Sequence, residues 1–174
     1  MKKNIILIFT DNQQASTLGC YGNKEIYTPN LDQLSTESVT FDNAYCPNAF
    51  CSPCRASLLT GLLPSQHGVH SWIDTRKKED WPLGWHALDG LRTLPMSLSE
   101  SGYKTALIGK YHLGETETTM PGFDHWVTME DGHVRSFYRN QVTENGKNYL
   151  HEGHTVDFFT DKAVSFIDEQ VESD

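Results

Sequence analysis

Residues 4–9 form a continuous apolar run, rich in β-branched side chains, that most constrains how this chain can fold. Such a run fits a central strand that is buried on both faces, as in sheets covered by helices on each side. Further strands are predicted at residues 39–41 and 103–108. Because helix signals separate these strands, the sequence predicts an α/β fold with a mostly parallel sheet flanked by helices.

The helix signals are local and specific. Thr28-Pro29 is typical of an N-cap residue followed by the first helical residue. Further helices are predicted over residues 53–59, 94–101 and 156–171, the last from its apolar spacing, and Asn145-Gly146 predicts a β-hairpin within residues 141–150. Residues 64–92 read as an irregular segment. No predicted strand follows the last helix, so the chain is either a complete small domain or the front part of a larger one.

Length and charge exclude some functions. The chain has 174 residues, which suits one compact domain, and a formal net charge of −9. A nucleic-acid binder usually carries a basic stripe instead, so no nucleic-acid partner is expected.

The apolar run after the N-terminus is too short for an export signal or a membrane span. This predicts a cytoplasmic protein without a membrane partner, unless the protein reaches the periplasm or is secreted by other means. In the cytoplasm, the four cysteines are not expected to form a disulfide framework.

The stretch CSPCRASLLTG places a cysteine, Cys51, at the start of a predicted helix. Unpaired N–H groups and the positive end of the helix dipole favour an anion there. Arg55, four residues on, has a planar guanidinium that suits tetrahedral oxyanions. The pattern is compatible with a nucleophile at a sulfate or phosphate site. Cys51 and Cys54 also form a C-x-x-C that is compatible with a redox pair, with half a zinc site, or with a purely structural role.

Two further groups lie where predicted strands end. Lys110 and His112 follow the strand at residues 103–108, and Asp11 and Asn12 follow the apolar run. The carboxyl ends of parallel strands form the edge at which ligands bind. A cation and a proton carrier suit an anionic ester and its leaving group, and hard oxygen donors suit Ca²⁺ or Mg²⁺. Taken alone, Lys110 and His112 are more often surface residues, and Asp11 and Asn12 are more often part of a turn or a helix cap.

Together these segments closely resemble the type I sulfatase family of the alkaline-phosphatase-like superfamily. CSPCRASLLTG resembles its signature C-x-P-S/A-R with a Leu-Thr-Gly tail, and residues 102–112 resemble the second signature, which ends in Gly-Lys, an aromatic residue and His. The opening NIILIFTDNQQ and the stretch LGCYGNKEIYTPNLDQL are similar to the first strand and helix of the family. The resemblance implies an alkaline-phosphatase-like fold, incomplete at the C-terminal side, with residues 1–174 as the N-terminal part of a sulfatase catalytic domain.

The resemblance also implies residue roles. Cys51 matches the cysteine that a maturation enzyme oxidises to formylglycine, whose hydrated aldehyde attacks sulfur, releases the alcohol and then expels sulfate. Arg55 matches the residue that stabilises the diol, Lys110 a lysine that holds sulfate oxygens, and His112 a histidine that assists proton transfer. Asp11 and Asn12 match two metal-binding positions for Ca²⁺ or Mg²⁺, with residue 51 as a further ligand.

Three departures from the family pattern matter. Cys54 stands where the family has Ser or Ala, which leaves a C-x-x-C that can oxidise instead. Asn12 replaces a usual carboxylate and lowers the negative charge of the metal site. The remaining metal ligands and substrate residues of the family come later than residue 174. The chain is therefore expected to be an inactive N-terminal part, with an exposed apolar sheet face or edge that favours a homo-oligomer.

The expected substrate is a small-molecule or saccharide sulfate ester, and the expected protein partner is a formylglycine-generating or sulfatase-maturating enzyme. Three alternatives remain open at this point. They are a phosphodiester or phosphonate monoester hydrolase of the same superfamily, a non-catalytic anion-binding module, and a C-x-x-C oxidoreductase. Residues 67–85, which include Trp72, Trp81, Trp85, His70 and Arg76, are compatible with a sugar or aryl pocket and equally with loop packing.

Overall fold

The computed structural model describes residues 3–172, with the backbone alone for Glu172. The chain divides into two compact units, Met1–Tyr45 and Cys46–Asp174. None of the helices in the described part of the chain combines the length and the apolar character needed to cross a membrane.

The first unit is organised around helix α1, Pro29–Thr36, which begins where the sequence predicts. Short 3₁₀ turns precede it at Ala15–Thr17 and Gly19–Tyr21. The Asp32 carboxylate accepts hydrogen bonds from the backbone of Cys20 at 2.7 Å and from the hydroxyl of Thr28 at 3.0 Å. The first turn of α1 is thereby tied to the preceding 3₁₀ turn.

Two strands predicted in this unit are absent from its described residues. Residues 4–9 and 39–41 have no regular secondary structure, so both strand predictions are wrong for this structure. The apolar side chains are solvent-exposed, with Ile6 67% and Ile8 79% accessible. A strand exists only when a neighbour completes its hydrogen-bond ladder, and no strand pairing is formed within residues 3–45.

The second unit contains a four-stranded sheet in the order β1-β2-β3-β4. Its strands are β1 (Ala106–Gly109), β2 (His125–Met129), β3 (Tyr138–Glu144) and β4 (Lys147–His154). β1 and β2 are parallel, whereas β2–β3 and β3–β4 are antiparallel. The α/β class is confirmed, with a mixed sheet in place of the mostly parallel one. The predicted hairpin explains part of the difference, because Asn145 and Gly146 both adopt positive φ (48° and 81°) and return the chain directly beside itself.

Helices flank both faces of this sheet. The helices of this unit are α2 (Cys51–Thr60), α3 (Pro64–His67), α4 (Leu94–Glu100) and α5 (Thr155–Glu172), with a 3₁₀ segment at Thr75–Asp80. Adjacent residues of β2 point to opposite faces, so Trp126 joins a cluster that contains Ala56 of α2, while Val127 joins a second cluster that contains Phe158 of α5. The buried strand β2 was not predicted from the sequence.

Helix α2 starts two residues earlier than predicted. Its first residue is Cys51, not Pro53, and Gly61 ends it with a φ of 71°. Proline is tolerated in the first turn of a helix because the N–H groups there have no intrahelical acceptor. Cys51 is therefore part of the first helical turn, whereas the sequence predicted it to lie just before the helix.

Candidate active site

The N-terminus of α2 presents Cys51 and Arg55 from successive turns of one helix. Phe50 is the N-cap residue, and its side chain makes no capping hydrogen bond. Ser52, Pro53 and Ala56 are buried, which anchors the helix against the core, whereas Cys51 and Arg55 are partly exposed. The helix thus holds the thiol at its positive end, in a position that a solute can reach.

Lys110 joins this helix from the sheet. It directly follows β1, and its ammonium donates a hydrogen bond to Cys51 Sγ at 3.2 Å. The Arg55 guanidinium donates to the backbone carbonyl of Lys110 at 2.7 Å. One positive side chain therefore contacts the thiol and a second is bonded to the backbone of the first, so three of the four predicted catalytic residues come together although two chain segments supply them.

His112 is linked to the same helix through one intervening residue. Its ring is fully buried, and Nε2 donates to the carbonyl of Ile73 at 3.0 Å. The N–H of Ile73 in turn donates to Ser52 Oγ at 3.1 Å, in the first turn of α2. Because a carbonyl only accepts, Nε2 carries the proton, and Nδ1 of the neutral ring is the acceptor. Nδ1 has no hydrogen-bond partner within residues 3–172.

The backbone and the charge state of His112 are both unusual. Its φ is 54°, in the left-handed region that non-glycine residues seldom adopt, and such strain is found disproportionately at functional sites. The pKa of His112 is lowered to about 4, chiefly by burial and also by the charges of Lys110, His133 and Arg55, whereas the hydrogen bond to Ile73 acts in the opposite direction. The imidazole is therefore neutral at neutral pH.

Two aromatic side chains enclose His112, and the motifs did not reveal their role. His133 stacks on the ring with centroids 5.3 Å apart, and Trp72 meets it edge-on at 5.9 Å. Gly132 (φ 63°) lies so close that a Cβ there would be 2.9 Å from the His112 backbone nitrogen. Trp72 was noted only as a pocket candidate, and no sequence signal distinguished His133 or the Ile73 carbonyl.

Comparison with known proteins decides the family. The sulfatase family model matches residues 3–174. The chain belongs to the sulfatase family. An N-acetylglucosamine-6-O-sulfatase of Bacteroides thetaiotaomicron is 34% identical over 168 residues, which are 96% of this chain and 28% of that protein. Members of the sulfatase family generally depend on formylglycine and a divalent metal.

Solved structures give the same result for the fold. Ps i-CgsB superposes with a TM-score of 0.87 and 28% identity, covering 99% of this chain and 42% of that one. BT4656 in complex with its substrate D-glucosamine-2-N,6-O-disulfate superposes with a TM-score of 0.79 and 34% identity, covering 95% of this chain and 31% of that one. The alkaline-phosphatase-like fold predicted from the sequence is confirmed. This sulfatase-family chain spans only 25% to 32% of the length of the first relatives it matches.

The predicted metal ligands of this sulfatase-family chain divide between the two units. Asp11 and Asn12 are exposed residues of the first unit, and Asn12 has a φ of 59°, while Cys51 belongs to the second. Carboxylate and amide oxygens are the donor type that Ca²⁺ takes, but two residues supply fewer than the roughly six to eight oxygens it requires. Within residues 3–172, no three His, Cys, Asp or Glu side chains gather as a metal site. The described donors fit a calcium or magnesium site in kind and fall short of one in number.

The C-x-x-C of this sulfatase-family chain is arranged differently from a thioredoxin-like pair. The C-x-x-C spacing suggests that Cys54 pairs with Cys51, but Cys54 Sγ lies 2.8 Å from Cys46 Sγ instead. Cys51 Sγ accepts a hydrogen bond from Lys110. None of the four cysteines is in a disulfide in the described structure. The contact of Cys54 with Cys46 was not predicted, since eight residues separate them and no motif spans that interval.

A cleft of about 570 Å³ lies in the second unit beside the loop that contacts His112. Thr75, Arg76 and Trp81 line it together with charged side chains of both signs, among them Lys78, Asp131 and Arg135. The Arg76 guanidinium stands 5.7 Å from the ring centre of Trp72, and Trp72 contacts His112. Of the five side chains that the sequence suggested for a pocket, Arg76 and Trp81 line this cleft, whereas His70, Trp72 and Trp85 are not among its lining residues.

Proposed function

We propose that this chain carries the nucleophile of a sulfatase that hydrolyses sulfate monoesters. The observation that carries the proposal is the 3.2 Å contact between the Lys110 ammonium and Cys51 Sγ at the N-terminus of α2. A sulfate monoester carries its negative charge on the non-bridging oxygens, and further negative charge develops on the leaving oxygen as the S–O bond breaks. Cations and helix N–H groups held beforehand around the nucleophile stabilise that charge without reorganisation.

Each residue then has a defined role. Converted to formylglycine, residue 51 supplies a geminal diol, one hydroxyl displacing the alcohol from sulfur and the other allowing sulfate to leave. Lys110 holds sulfate oxygens, and Arg55 stabilises the nucleophile while it fixes the Lys110 backbone through a 2.7 Å hydrogen bond. His112 remains neutral, and with Nε2 committed to Ile73 only Nδ1 can take up a proton.

The metal and the maturation enzyme complete the proposal. Asp11 and Asn12 would supply two oxygen ligands for Ca²⁺ or Mg²⁺, and residue 51 a third ligand after modification. A formylglycine-generating or sulfatase-maturating enzyme would act on Cys51 in the segment CSPCRAS. A cytoplasmic location and a homo-oligomeric state belong to the same proposal.

The substrate class we infer is a sulfated saccharide. The similar proteins include an N-acetylglucosamine-6-O-sulfatase and a structure bound to D-glucosamine-2-N,6-O-disulfate. The cleft supports this choice, since the indole of Trp81 lines it together with Arg76 and other hydrogen-bonding side chains, and the Arg76 guanidinium also faces the ring of Trp72. Sugar rings stack their apolar faces on aromatic side chains, and their hydroxyl and sulfate groups need polar partners.

The test uses the full-length polypeptide that contains this chain, co-expressed with a sulfatase-maturating enzyme. Fragmentation mass spectrometry of the peptide around residue 51 should find formylglycine, and the protein should release sulfate from glucosamine 6-sulfate. Cys51→Ala should abolish turnover, whereas the matched variant Cys20→Ala should retain it. Faster turnover of a phosphonate monoester than of any sulfate ester would assign the protein to the alternative hydrolase class. An unmodified Cys51 in catalytically inactive protein from the native host would favour the anion-binding module.

A further inference from the structure

Two thiols that the proposed function does not use lie together beside the N-terminus of α2. Cys46 Sγ and Cys54 Sγ are 2.8 Å apart. Cys46 Sγ also lies 2.9 Å from the carbonyl oxygen of Asn48, to which only its S–H can donate. Either thiol can donate in the contact between the two sulfurs.

The loop between the two cysteines is held in place by its own hydrogen bonds. The N–H of Phe50 donates to Asn48 Oδ1 at 2.8 Å, and the N–H of Cys54 donates to the Phe50 carbonyl at 3.2 Å. Cys54 is on α2, whose Ser52 and Pro53 are buried in the core. Because a disulfide has an S–S length of about 2.05 Å, the sulfurs need to approach by less than about 1 Å to form the bond.

We propose that Cys46 and Cys54 are a modification site that forms an intramolecular disulfide by exchange with a low-molecular-weight disulfide such as oxidised glutathione. The exposed Cys46 reacts first: its thiolate attacks a glutathione sulfur, the glutathione S–S bond breaks, and one glutathione leaves. The Cys54 thiolate then attacks the Cys46 sulfur of the mixed disulfide and releases the second glutathione. The two thiol protons pass to the two departing thiolates, and the two electrons removed from the cysteines reduce the glutathione disulfide.

The structure distinguishes this pair from the pair that sequence spacing suggests. Cys51 and Cys54 form the C-x-x-C, yet Cys51 Sγ accepts from Lys110 while Cys54 Sγ contacts Cys46. Oxidation at Cys46 and Cys54 therefore leaves Cys51 as a thiol. One consequence rests on the proposed function: the disulfide removes Cys54 as a competitor and keeps Cys51 available for conversion to formylglycine.

The test is disulfide mapping on the full folded chain, which needs no sulfatase activity. The reduced protein is equilibrated with oxidised and reduced glutathione, quenched with acid, alkylated and digested with trypsin. Cys46, Cys51 and Cys54 fall in one tryptic peptide, residues 25–55. The position of the alkyl label in that peptide therefore identifies which two cysteines form the disulfide. A label on Cys51 reports the Cys46–Cys54 disulfide, and a label on Cys46 or Cys54 reports a disulfide that contains Cys51.

We expect label on Cys51 to exceed label on Cys46 by at least about tenfold in the folded chain, and this preference to disappear in guanidinium, where spacing alone decides. Cys46→Ser should abolish the disulfide or shift it to Cys51, while the matched variant Cys20→Ser should leave the pattern unchanged. Dominant labelling of Cys46, a stable glutathione adduct at Cys46, or three unoxidised thiols in folded wild-type protein would each overturn the proposal. If the mapping succeeds and the full-length protein shows no sulfatase activity, only the proposed function fails.

Discussion

The Lys110 ammonium donates a hydrogen bond to Cys51 Sγ at 3.2 Å, across 59 positions of sequence. Two signature-like segments that are distant in the chain thereby form one site. The contact depends on α2 packing against the sheet, through Ala56 on the helix and Trp126 on β2 in one buried cluster. The site is therefore a product of the core, and its parts can be removed one at a time.

Lys110→Ala should lower the turnover of a sulfate ester by the full-length, matured protein by about a hundredfold or more, because it removes a preorganised cation from the charge that develops on the ester. Steady-state kinetics on 4-nitrophenyl sulfate measure the effect. The matched control is Lys104→Ala, a lysine of the same segment whose ammonium is exposed and bridges to Asp124 at 3.3 Å. Equal losses in both variants would show that Lys110 acts only through stability.

Gly132→Ala should destabilise the chain by about 2 kcal/mol or more, since a side chain at a φ of 63° is strained and its Cβ would meet the His112 backbone at 2.9 Å. Gly68→Ala is a matched control, because Gly68 also has positive φ (78°) but an added Cβ would meet nothing within 4 Å. Urea unfolding of both variants measures the difference. If Gly68→Ala lowered the free energy of unfolding as much as Gly132→Ala, backbone strain alone would explain both losses, and the contact with His112 would contribute nothing.

The free energy of unfolding should fall as the pH decreases from about 6.5 toward 4. The pKa of His112 is about 4 in the folded chain, against 6.5 for an ordinary histidine, so in this interval the unfolded chain binds more protons. Each such proton contributes up to about 1.4 kcal/mol per pH unit. Burial also lowers the pKa values of His67 and His86, which act with the same sign.

His112→Gln isolates the contribution of His112 to this pH dependence, because an amide can still donate to the Ile73 carbonyl but does not titrate. The variant should lose less stability than wild type between pH 6.5 and 4, as measured by urea unfolding at several pH values. Gly68→Ala, which changes no titratable group, should retain the wild-type slope. An unchanged slope in His112→Gln would contradict the low pKa of His112.

The 174-residue chain alone should hydrolyse 4-nitrophenyl sulfate no faster than its Cys51→Ala variant, even after maturation. The reason is that the described residues do not gather a complete metal site, and the cations of Lys110 and Arg55 provide only part of the charge stabilisation. The comparison is made at matched concentration with added Ca²⁺ and Mg²⁺. Robust turnover by the isolated chain would refute this expectation.

The sequence alone determined the family and several elements, and it predicted the candidate site residues on the second unit. Local rules suffice for these: Pro29 opens α1, Asn145-Gly146 closes the hairpin, and apolar spacing defines α5. Such features depend on a few neighbouring residues, so they can be read without a partner. The signature residues Cys51, Lys110 and His112 were recognisable because their types and spacing are specific.

Only the tertiary structure decided the rest. The apolar run at residues 4–9 has the composition of a buried strand, yet it stays exposed and irregular, because a ladder is completed by a neighbour and not by composition. No sequence motif predicts three of the contacts: the hydrogen bond between Ile73 and His112, the stacking of His133 on His112, and the approach of Cys46 to Cys54. Contacts of this kind arise from packing, in which distant segments meet because their apolar faces share one core.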